Sequence, residues 1–561
     1  MNWPPGRRRL AGVVGLLVLA VAGFLFVTGA PGGPRESAAE EPAASGTPTA
    51  AASEAATPSA GPPAIGSPAG AAGSPPPRPP QPTDSPLPSA PSEPTGDDDV
   101  ALVPVVGFWS PATSIDSAEL ELALTGGSEL YPRVVVSAED RAAIADYLGQ
   151  PLSAAVEDGA AAAAVERAVR RGALGLMRVS DVTPRVRALA IDGVNLFGNG
   201  RLADIEEWPL RVGPVDVAAW DQSASWTMIA GGDIQLDRWM AYHVRRLDKG
   251  VDWPWDGGRV EITGRRCCSD LGQRVPLWQR TSDGGELRAL IAGADLALAN
   301  LEAAAVDNPT MWRLAPDFRF SLSFSGDPRL LDGLRNTGFD FLSLANNHIH
   351  NAGAAGIRDT RRALEDLGIG LAGAGPNIGL ARRPAALEAA GQRVVVLPCA
   401  TIGRMALTDR AGAASCSGSW LTERIAHAAS QGSVIVVFPH WGREYRATPS
   451  ASQRALAERW VAAGADVVFG AHPHWAGAIE AIDDGLVFYS LGNLAFDQPW
   501  SEATMQGVIV ELTFHGDRLV QAWLHPTLIV DDVQPNLLDY DGGGRRVIQR
   551  MRDASAGLFP D

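Results

Sequence analysis

Lysine is almost absent from this chain of 561 residues, in which Lys249 is the only example. Walker-type phosphate loops and Schiff-base enzymes both need a lysine at the reacting group, so the sequence argues against both classes. No long basic run is present either, and the net charge is −17. We therefore expect no nucleic-acid partner. A polyanionic substrate would be repelled on average and would need a local entry rich in arginine.

Cysteine is scarce as well, and the four examples are Cys267, Cys268, Cys399 and Cys416. Their spacing does not give the CxxC pairs of a structural zinc site. In an oxidising compartment, four cysteines allow three disulfide pairings. Because adjacent cysteines rarely bond to each other, we expect Cys267 and Cys268 to pair with Cys399 and Cys416 in either order.

The N-terminus has the pattern of a targeting segment. We expect residues 1–9 to form a cytoplasmic basic start, and residues 10–29 are a mostly apolar run of the length that spans a bilayer. A cut at the small residues near Ala30 would leave Pro31 next, which disfavours processing. We therefore expect an uncleaved signal-anchor, a single-pass transmembrane helix in the cell membrane with the folded part extracytoplasmic. Secretion after cleavage near Ala30 is the alternative.

Residues 30–99 consist mostly of Pro, Ala, Ser, Gly and Thr. Such a composition cannot bury enough apolar area to offset the entropy of ordering the chain. This segment predicts a disordered stalk that holds the folded part away from the membrane.

Alternating β-rich and helical runs follow the stalk and indicate an α/β fold. Residues 100–222 predict a small α/β domain, and this segment contains no histidine. The domain could serve either for binding or docking or as a structural spacer. Residues 223–530 predict the largest domain, and its last two strands, GVIVELTFHG and LVQAWLHPTLIV, have the pattern of an antiparallel hairpin. We expect residues 531–561 to form a C-terminal tail.

Side chains with metal-binding chemistry follow several predicted strands of the largest domain. Five of the nine histidines lie at three strand ends, where ligands gather in α/β folds. Imidazole, amide and carboxylate groups together favour divalent ions of the Mn, Zn or Fe type over Ca or Mg, and we expect one or two such ions. The candidate residues at these ends are Asp233, Glu302, Asn347, His348, His350, His440, His472, His474 and Asn493.

Six runs in this order resemble the capsule-synthesis CapA family, which looks like a branch of the calcineurin-like metallophosphoesterase fold. The resemblance implies a metallophosphoesterase-like β-sandwich flanked by helices, and it leaves the stalk and the small domain outside. The runs are GGDIQLDR (231–238), LANLE (298–302), FLSLANNHIHNAG (341–353), HWGREY (440–445), AAGADVVFGAHPHW (462–475) and FYSLGNLAFDQ (488–498).

The resemblance implies a role for each matching residue. Glu302 takes the place of a metal-bridging carboxylate with a share in catalysis, and His348 that of the catalytic acid or phosphate-binding group. The implied metal ligands are Asp233, Glu302, Asn347, His440, His472 and His474. We expect the substrate to contact His350, Arg443, Glu444, Tyr445 and Asn493.

Two positions depart from the pattern that phosphoesterases of this fold follow. Gln235 stands where they carry the histidine of an Asp-x-His motif, so the first metal is one imidazole short. Asn351 stands where relatives carry an aspartate, which removes a charge close to His348 and makes its imidazolium harder to hold.

Three functions remain open at this point. The resemblance favours a role in synthesis, export or anchoring of poly-γ-glutamate or a similar acidic polymer, within a polymer synthase complex. A metal-dependent hydrolase of a phosphoester or amide in a small-molecule substrate is the second hypothesis. A non-catalytic polymer-binding protein is the third.

Overall fold

The computed structural model of the protein describes residues 99–213, 219–308 and 322–560. The predicted basic start, the anchor at 10–29 and all but the last residue of the stalk lie outside these ranges. Within them, a membrane-crossing helix is absent. The described residues all fall within one compact unit that ends at Asp561.

A ten-stranded mixed sheet forms one half of the largest domain. Its central strand, Ser225–Ile234, pairs in parallel with Leu296–Leu301 and antiparallel with Gln506–His515. The predicted hairpin is confirmed, because Gln506–His515 pairs antiparallel with Arg518–Val530. The remaining strands of this sheet are Arg259–Arg266, Val275–Arg280, Phe341–Ser343, Gly370–Ala372, Asn493–Ala495 and Gln534–Leu538.

A six-stranded sheet forms the other half. Its four central strands run parallel to one another, as expected for apolar runs that alternate with helices, and the two edge strands pair antiparallel. In spatial order the strands are Ala385–Ala389, Gln392–Ala400, Val434–His440, Val467–Phe469, Gly485–Phe488 and Ile479–Ile482.

The two sheets share one hydrophobic core, and helices cover their outer faces. Alternation along a single strand shows both sides: Leu296 and Leu298 enter the shared core, whereas Ala297 and Ala299 face the helix-covered side. The α-helices of this domain are Arg238–Ala241, Glu286–Ala292, Leu330–Thr337, Gly353–Asp366, Ile378–Ala381, Trp420–Ala429, Ala451–Ala462, Glu502–Met505 and Arg545–Ala554.

The N-terminal part of the described chain forms a separate mixed sheet with its own core. The long hairpin of the large sheet contributes Val520 to that core, and Gln521 accepts a hydrogen bond from the Ala188 amide at 3.1 Å. The strands are Val100–Gly107, Val134–Ser137, Val156–Gly159, Leu174–Arg178, Val186–Ala188 and Arg211–Val212. The helices are Ser117–Thr125, Arg141–Leu148 and Ala162–Val169.

The residues after 530, expected as a tail, also have regular structure. Gln534–Leu538 lies between two strands of the ten-stranded sheet, and Arg545–Ala554 is a helix with Val547, Ile548 and Met551 buried.

The predicted disulfide pairing is wrong. Cys399 bonds to Cys416, and Cys267 bonds to its neighbour Cys268. Cys399 and Cys416 are buried on the helix-covered face of the six-stranded sheet, where the Cys416 amide donates to the Ala400 carbonyl at 3.0 Å. Cys267 and Cys268 are exposed after the strand Arg259–Arg266, so one pair lies at the surface of the domain and the other in its interior.

The shared core predicts a large cost for truncating Leu298, which is fully buried between the sheets. We expect Leu298→Ala to lower the free energy of unfolding by about 2–5 kcal/mol, because it leaves a cavity between the two sheets. Urea unfolding followed by tryptophan fluorescence measures the change. Leu130→Ala, at a side chain that is 75% exposed, serves as the control and should change stability by about 0.5 kcal/mol or less. Equal effects of the two variants would contradict the shared core.

Candidate metal centre

Strand ends from both sheets meet at one site. Asp233 is the penultimate residue of the central strand of the ten-stranded sheet, and Glu302 directly follows the neighbouring strand. His440 ends a strand of the six-stranded sheet, and His472 and His474 follow the next strand. All five side chains are buried. Residues that are far apart in sequence therefore converge because the two sheets end at a common rim.

Two overlapping sets of three residues have the spacing of metal ligands. Glu302, His472 and His474 form one set, and Asp233, Glu302 and His440 form the other; within each set the ligand atoms lie within 4.8 Å of one another. Glu302 belongs to both sets. A carboxylate with two oxygens can bridge two cations, so the geometry fits a pair of divalent ions as well as one.

The Glu302 carboxylate is a buried group that is costly to keep ionised. It is fully buried, and neither of its oxygens has a hydrogen-bond partner in the described chain. Burial and the nearby Asp233 carboxylate raise its pKa well above the usual value. A buried carboxylate without donors is costly, and a bound cation removes that cost. The donor set therefore fits a divalent metal.

Asp233 is held in place from two sides. The Asn300 amide donates to Oδ1 at 2.8 Å, and the backbone N–H of His472 donates to Oδ2 at 3.1 Å. His474 Nδ1 lies 3.3 Å from the same Oδ2. Burial disfavours the charged form of His474, but the Glu302 and Asp233 carboxylates outweigh it and raise its pKa to about 9.

His440 and His472 are buried in their neutral form. Burial, together with neighbouring histidines, lowers the pKa of His440 far below its ordinary value and that of His472 to about 3. His440 Nε2 lies 2.7 Å from the amide oxygen of Asn347, which brings the predicted amide ligand next to the cluster. Neutral imidazole is the form that binds metal, so neither ring has to lose a proton first.

The His-Pro-His turn has a strained backbone. His472 has φ of +93° and His474 has φ of +57°, in the left-handed region that non-glycine residues rarely occupy. Their ring centroids are 5.9 Å apart, and both rings face the carboxylates. Such strain persists where the surroundings fix the geometry, which is typical of a functional site.

His348 lies beside the cluster rather than within it. Its ring stacks on Phe324 with centroids 4.1 Å apart, and its Nδ1 is 2.8 Å from the Asn351 amide oxygen. Its Nε2 is 3.7 Å from Glu302 Oε1. Burial lowers the pKa of His348 to about 4, so the ring is neutral at pH 7.

The residues predicted to contact substrate lie at different depths. Arg443 and Glu444 are exposed, and His350 is half-buried. The centroid of the half-buried Tyr445 ring is 6.2 Å from that of His474. Burial, and to a lesser extent the Glu444 carboxylate, raises the pKa of the Tyr445 hydroxyl.

Asn493 is fully buried behind His474. Its oxygen is 2.9 Å from His474 Nδ1, and its amide nitrogen donates to Gln498 and to the Thr504 carbonyl. These bonds orient the His474 ring, and a contact between Asn493 and substrate stays a prediction.

Sequence reasoning missed a buried ion pair next to the site. Arg238 and Asp497 are both almost fully buried and bond to each other. The guanidinium lies 4.8 Å from the Phe324 ring centroid, and its charge acts on both Glu302 and His348. The two residues end or nearly end the quoted runs GGDIQLDR and FYSLGNLAFDQ, but nothing in either run signals that they pair.

Gln235, at the departure from the Asp-x-His motif, is fully buried. Neither polar atom of its side chain has a hydrogen-bond partner within the described ranges. The Gln235 amide thus lacks the hydrogen bonds that buried polar groups normally make.

Comparison with known proteins gives one family and several relatives. Residues 227–498 match the family described as bacterial capsule synthesis protein PGA_cap. The capsule biosynthesis protein CapA of Bacillus anthracis is 34% identical over 188 residues, which is 32% of this chain and 46% of that protein. The PGA biosynthesis protein CapA of Bacillus subtilis is 32% identical over 176 residues, covering 30% and 45% of the two chains. The chain thus spans about half the length of these relatives.

Among solved structures, the chain is similar to a 5′-nucleotidase precursor from Thermus thermophilus. The identity is 14%, the TM-score is 0.31, and the match covers 54% of each chain.

The cluster predicts that metal binding depends on the shared carboxylate. We expect Glu302→Gln to weaken the binding of divalent metal by about 100-fold or more, since it removes the one ligand common to both sets. Metal analysis after dialysis, together with the shift in melting temperature on metal addition, measures the loss. His427→Ala, which removes an exposed histidine on the helix Trp420–Ala429, is the control and should bind metal like the wild type. Full metal content in Glu302→Gln would contradict this site.

Proposed function

Because residues 227–498 match the bacterial capsule synthesis family PGA_cap, we propose that the protein acts in synthesis, export or anchoring of poly-γ-glutamate or a similar acidic surface polymer. One observation carries this proposal: both sets of metal-ligating residues lie inside the family segment and are buried together. An acidic polymer is the substrate class, and a synthase complex is the partner class.

A divalent cation of the Mn, Zn or Fe type would be held by Asp233, Glu302, His440, His472 and His474. Such an ion supplies a Lewis acid that polarises a carbonyl or phosphoryl oxygen. Beside it, burial lowers the pKa of His348 to about 4, so the ring is neutral at pH 7 and its Nε2 can accept a hydrogen bond from substrate or water. Asn351 and Phe324 keep that ring oriented through Nδ1 and its face.

We propose an extracytoplasmic location, with the chain anchored in the cell membrane through residues 10–29. The disulfide between Cys399 and Cys416 supports an oxidising compartment, since such bonds are rare in the cytosol. The stalk proposed for residues 30–99 would place the metal centre at a distance from the bilayer, within reach of a growing polymer.

A metal-dependent hydrolase of a phosphoester or amide is the second candidate. The observation that favours it is the double use of Glu302, because paired ions are typical of phosphatases and aminopeptidases.

Complementation tests the proposed function. In the organism that encodes the protein, we expect deletion of its gene to abolish surface-bound polyglutamate, and the wild-type gene to restore it. A gene encoding His472→Ala should fail, because one set of ligands is broken, whereas His427→Ala should restore the polymer. Immunoblots must show equal amounts of each variant. Normal polymer in the deletion strain would overturn the proposal.

Assays of the purified protein separate the two candidates. A hydrolase should cleave a chromogenic phosphodiester, and cleavage should fall by at least about 100-fold in His472→Ala and on chelation. A polymer-synthesis protein should act on, or bind, γ-linked glutamate without that cleavage. Phosphodiester cleavage together with normal surface polymer in the deletion strain would favour the second candidate.

A further inference from the structure

The C-terminal helix Arg545–Ala554 is strongly cationic in a chain with a net charge of −17. Its sequence, RRVIQRMRDA, contains four arginines and one acidic residue. The helix lies beyond residue 498, where the family match ends. Its apolar residues Val547, Ile548 and Met551 pack into the domain, which fixes the direction in which the arginines project.

One side of this helix forms a groove with the loop that follows His440. The groove has a volume of about 490 Å³, and its walls include Ala447 and Thr448 from the loop and Arg546 and Arg550 from the helix. Asp553 also lines it and adds one negative charge; its carboxylate accepts a hydrogen bond from the uncharged Gln549 side chain at 2.6 Å.

Three arginines lie in or beside the groove, Arg265, Arg546 and Arg550, against two acidic residues, Glu502 and Asp553. Glu502 is the main acidic neighbour, and it is shared between Arg265 at 2.6 Å and Arg546 at 3.1 Å. Arg550 donates through Nη2 to the Gln506 side chain at 2.7 Å. Its Nη1 is buried and has no hydrogen-bond partner in the described part of the chain. A buried cationic donor without an acceptor is expensive and calls for an anion or water.

The loop connects this groove to the metal centre. Arg443 and Arg446 are both exposed, and no hydrogen bond or ion pair joins either one to the described residues. Between them, the Tyr445 ring faces the His474 ring at 6.2 Å. The next residue, Ala447, already belongs to the groove wall. The same loop therefore carries two exposed arginines, the Tyr445 contact with His474 and one wall of the groove.

We propose that this groove binds a run of carboxylates in an acidic polypeptide-like polymer, whose adjoining part lies at the metal centre. The proposal rests on the proposed function and adds to it a binding site for polymer outside the family segment. Guanidinium groups bind carboxylates in a bidentate manner, and several in a row match a ligand whose charges repeat along a chain. A small phosphoester would occupy the metal centre alone and would gain nothing from arginines at the far end.

The test compares γ-linked glutamate probes of two lengths on the metal-loaded protein. Binding of a fluorescent decamer and of a γ-glutamyl dipeptide is measured by anisotropy and by calorimetry. We expect Arg546→Gln/Arg550→Gln to weaken binding of the decamer by about tenfold for each charged hydrogen bond lost, and to weaken binding of the dipeptide less than twofold. The decamer should also lose affinity more steeply than the dipeptide as salt increases.

A double variant with the same change in net charge is the control. Arg424→Gln/Arg545→Gln removes two exposed arginines outside the groove, one of which lies next to Arg546 and pairs with Asp541. It should bind the decamer within twofold of the wild type. Metal content and melting temperature must match in all variants. Arg546→Gln alone, at a side chain that is 61% exposed, serves if the loss of Arg550 impairs folding.

The outcomes separate this inference from the function on which it rests. Wild-type protein that binds neither glutamate probe overturns the proposed function and this inference together. Wild-type binding of the decamer that Arg546→Gln/Arg550→Gln leaves intact overturns the groove alone. Tighter binding of polyphosphate, or of phosphatidylglycerol vesicles, that is lost in the same variant overturns the assignment to a polycarboxylate.

Discussion

A single buried carboxylate, that of Glu302, imposes the main constraint on this structure. It lies where the ends of two sheets meet, it has no hydrogen-bond donor in the described chain, and it belongs to both sets of potential ligands. Charge of this kind is tolerated in a protein interior only when an opposite charge compensates it. The three buried histidines and Asp233 gather around it for the same reason, since together they can hold a cation that none could hold alone.

Amide side chains supply the scaffold for this chemistry. Asn346 accepts hydrogen bonds from the His348 and Ile349 backbone and donates to the Leu301 carbonyl at 2.7 Å, which ties two strand ends together. Asn300 supports Asp233, and Asn351 supports His348. An amide can donate and accept at once without adding charge. The dense run ANNHIHN thus reflects the need to fix the orientation of rings and carboxylates where net charge is already difficult to accommodate.

Much of the core and the site could be predicted from sequence. A strongly apolar run that ends in His, Asp or Glu predicts a buried strand and also places a candidate site residue at the end of that strand. The strand ends that carry Glu302, His440 and His472 come together, since Glu302 has ligand spacing to each of the two histidines; their roles as metal ligands stay a prediction. Arg238 and Asp497 could not be paired in advance, since their contact joins residues 259 positions apart and depends on the fold. The prediction of the disulfide pairing was wrong for a similar reason. Cys399 is buried and Cys267 is exposed, and the spacing of the cysteines in the sequence does not indicate this difference in burial. The strand Arg259–Arg266 was missed because its residues are largely polar and half-exposed.

The ligands come from both halves of the sandwich, and this has a consequence for how the protein matures. Contacts between distant parts of a chain form slowly during folding, and a site built from them is complete only when the two halves have docked. An ion held by residues of both sheets would stabilise the state in which the two sheets are docked relative to every partly folded state, because only the docked state can bind it. The concentration of metal in the compartment where the chain folds would thereby influence the lifetime of the protein as well as its chemistry. Without metal, the two sheets would separate more often, and proteases would reach the chain where they part.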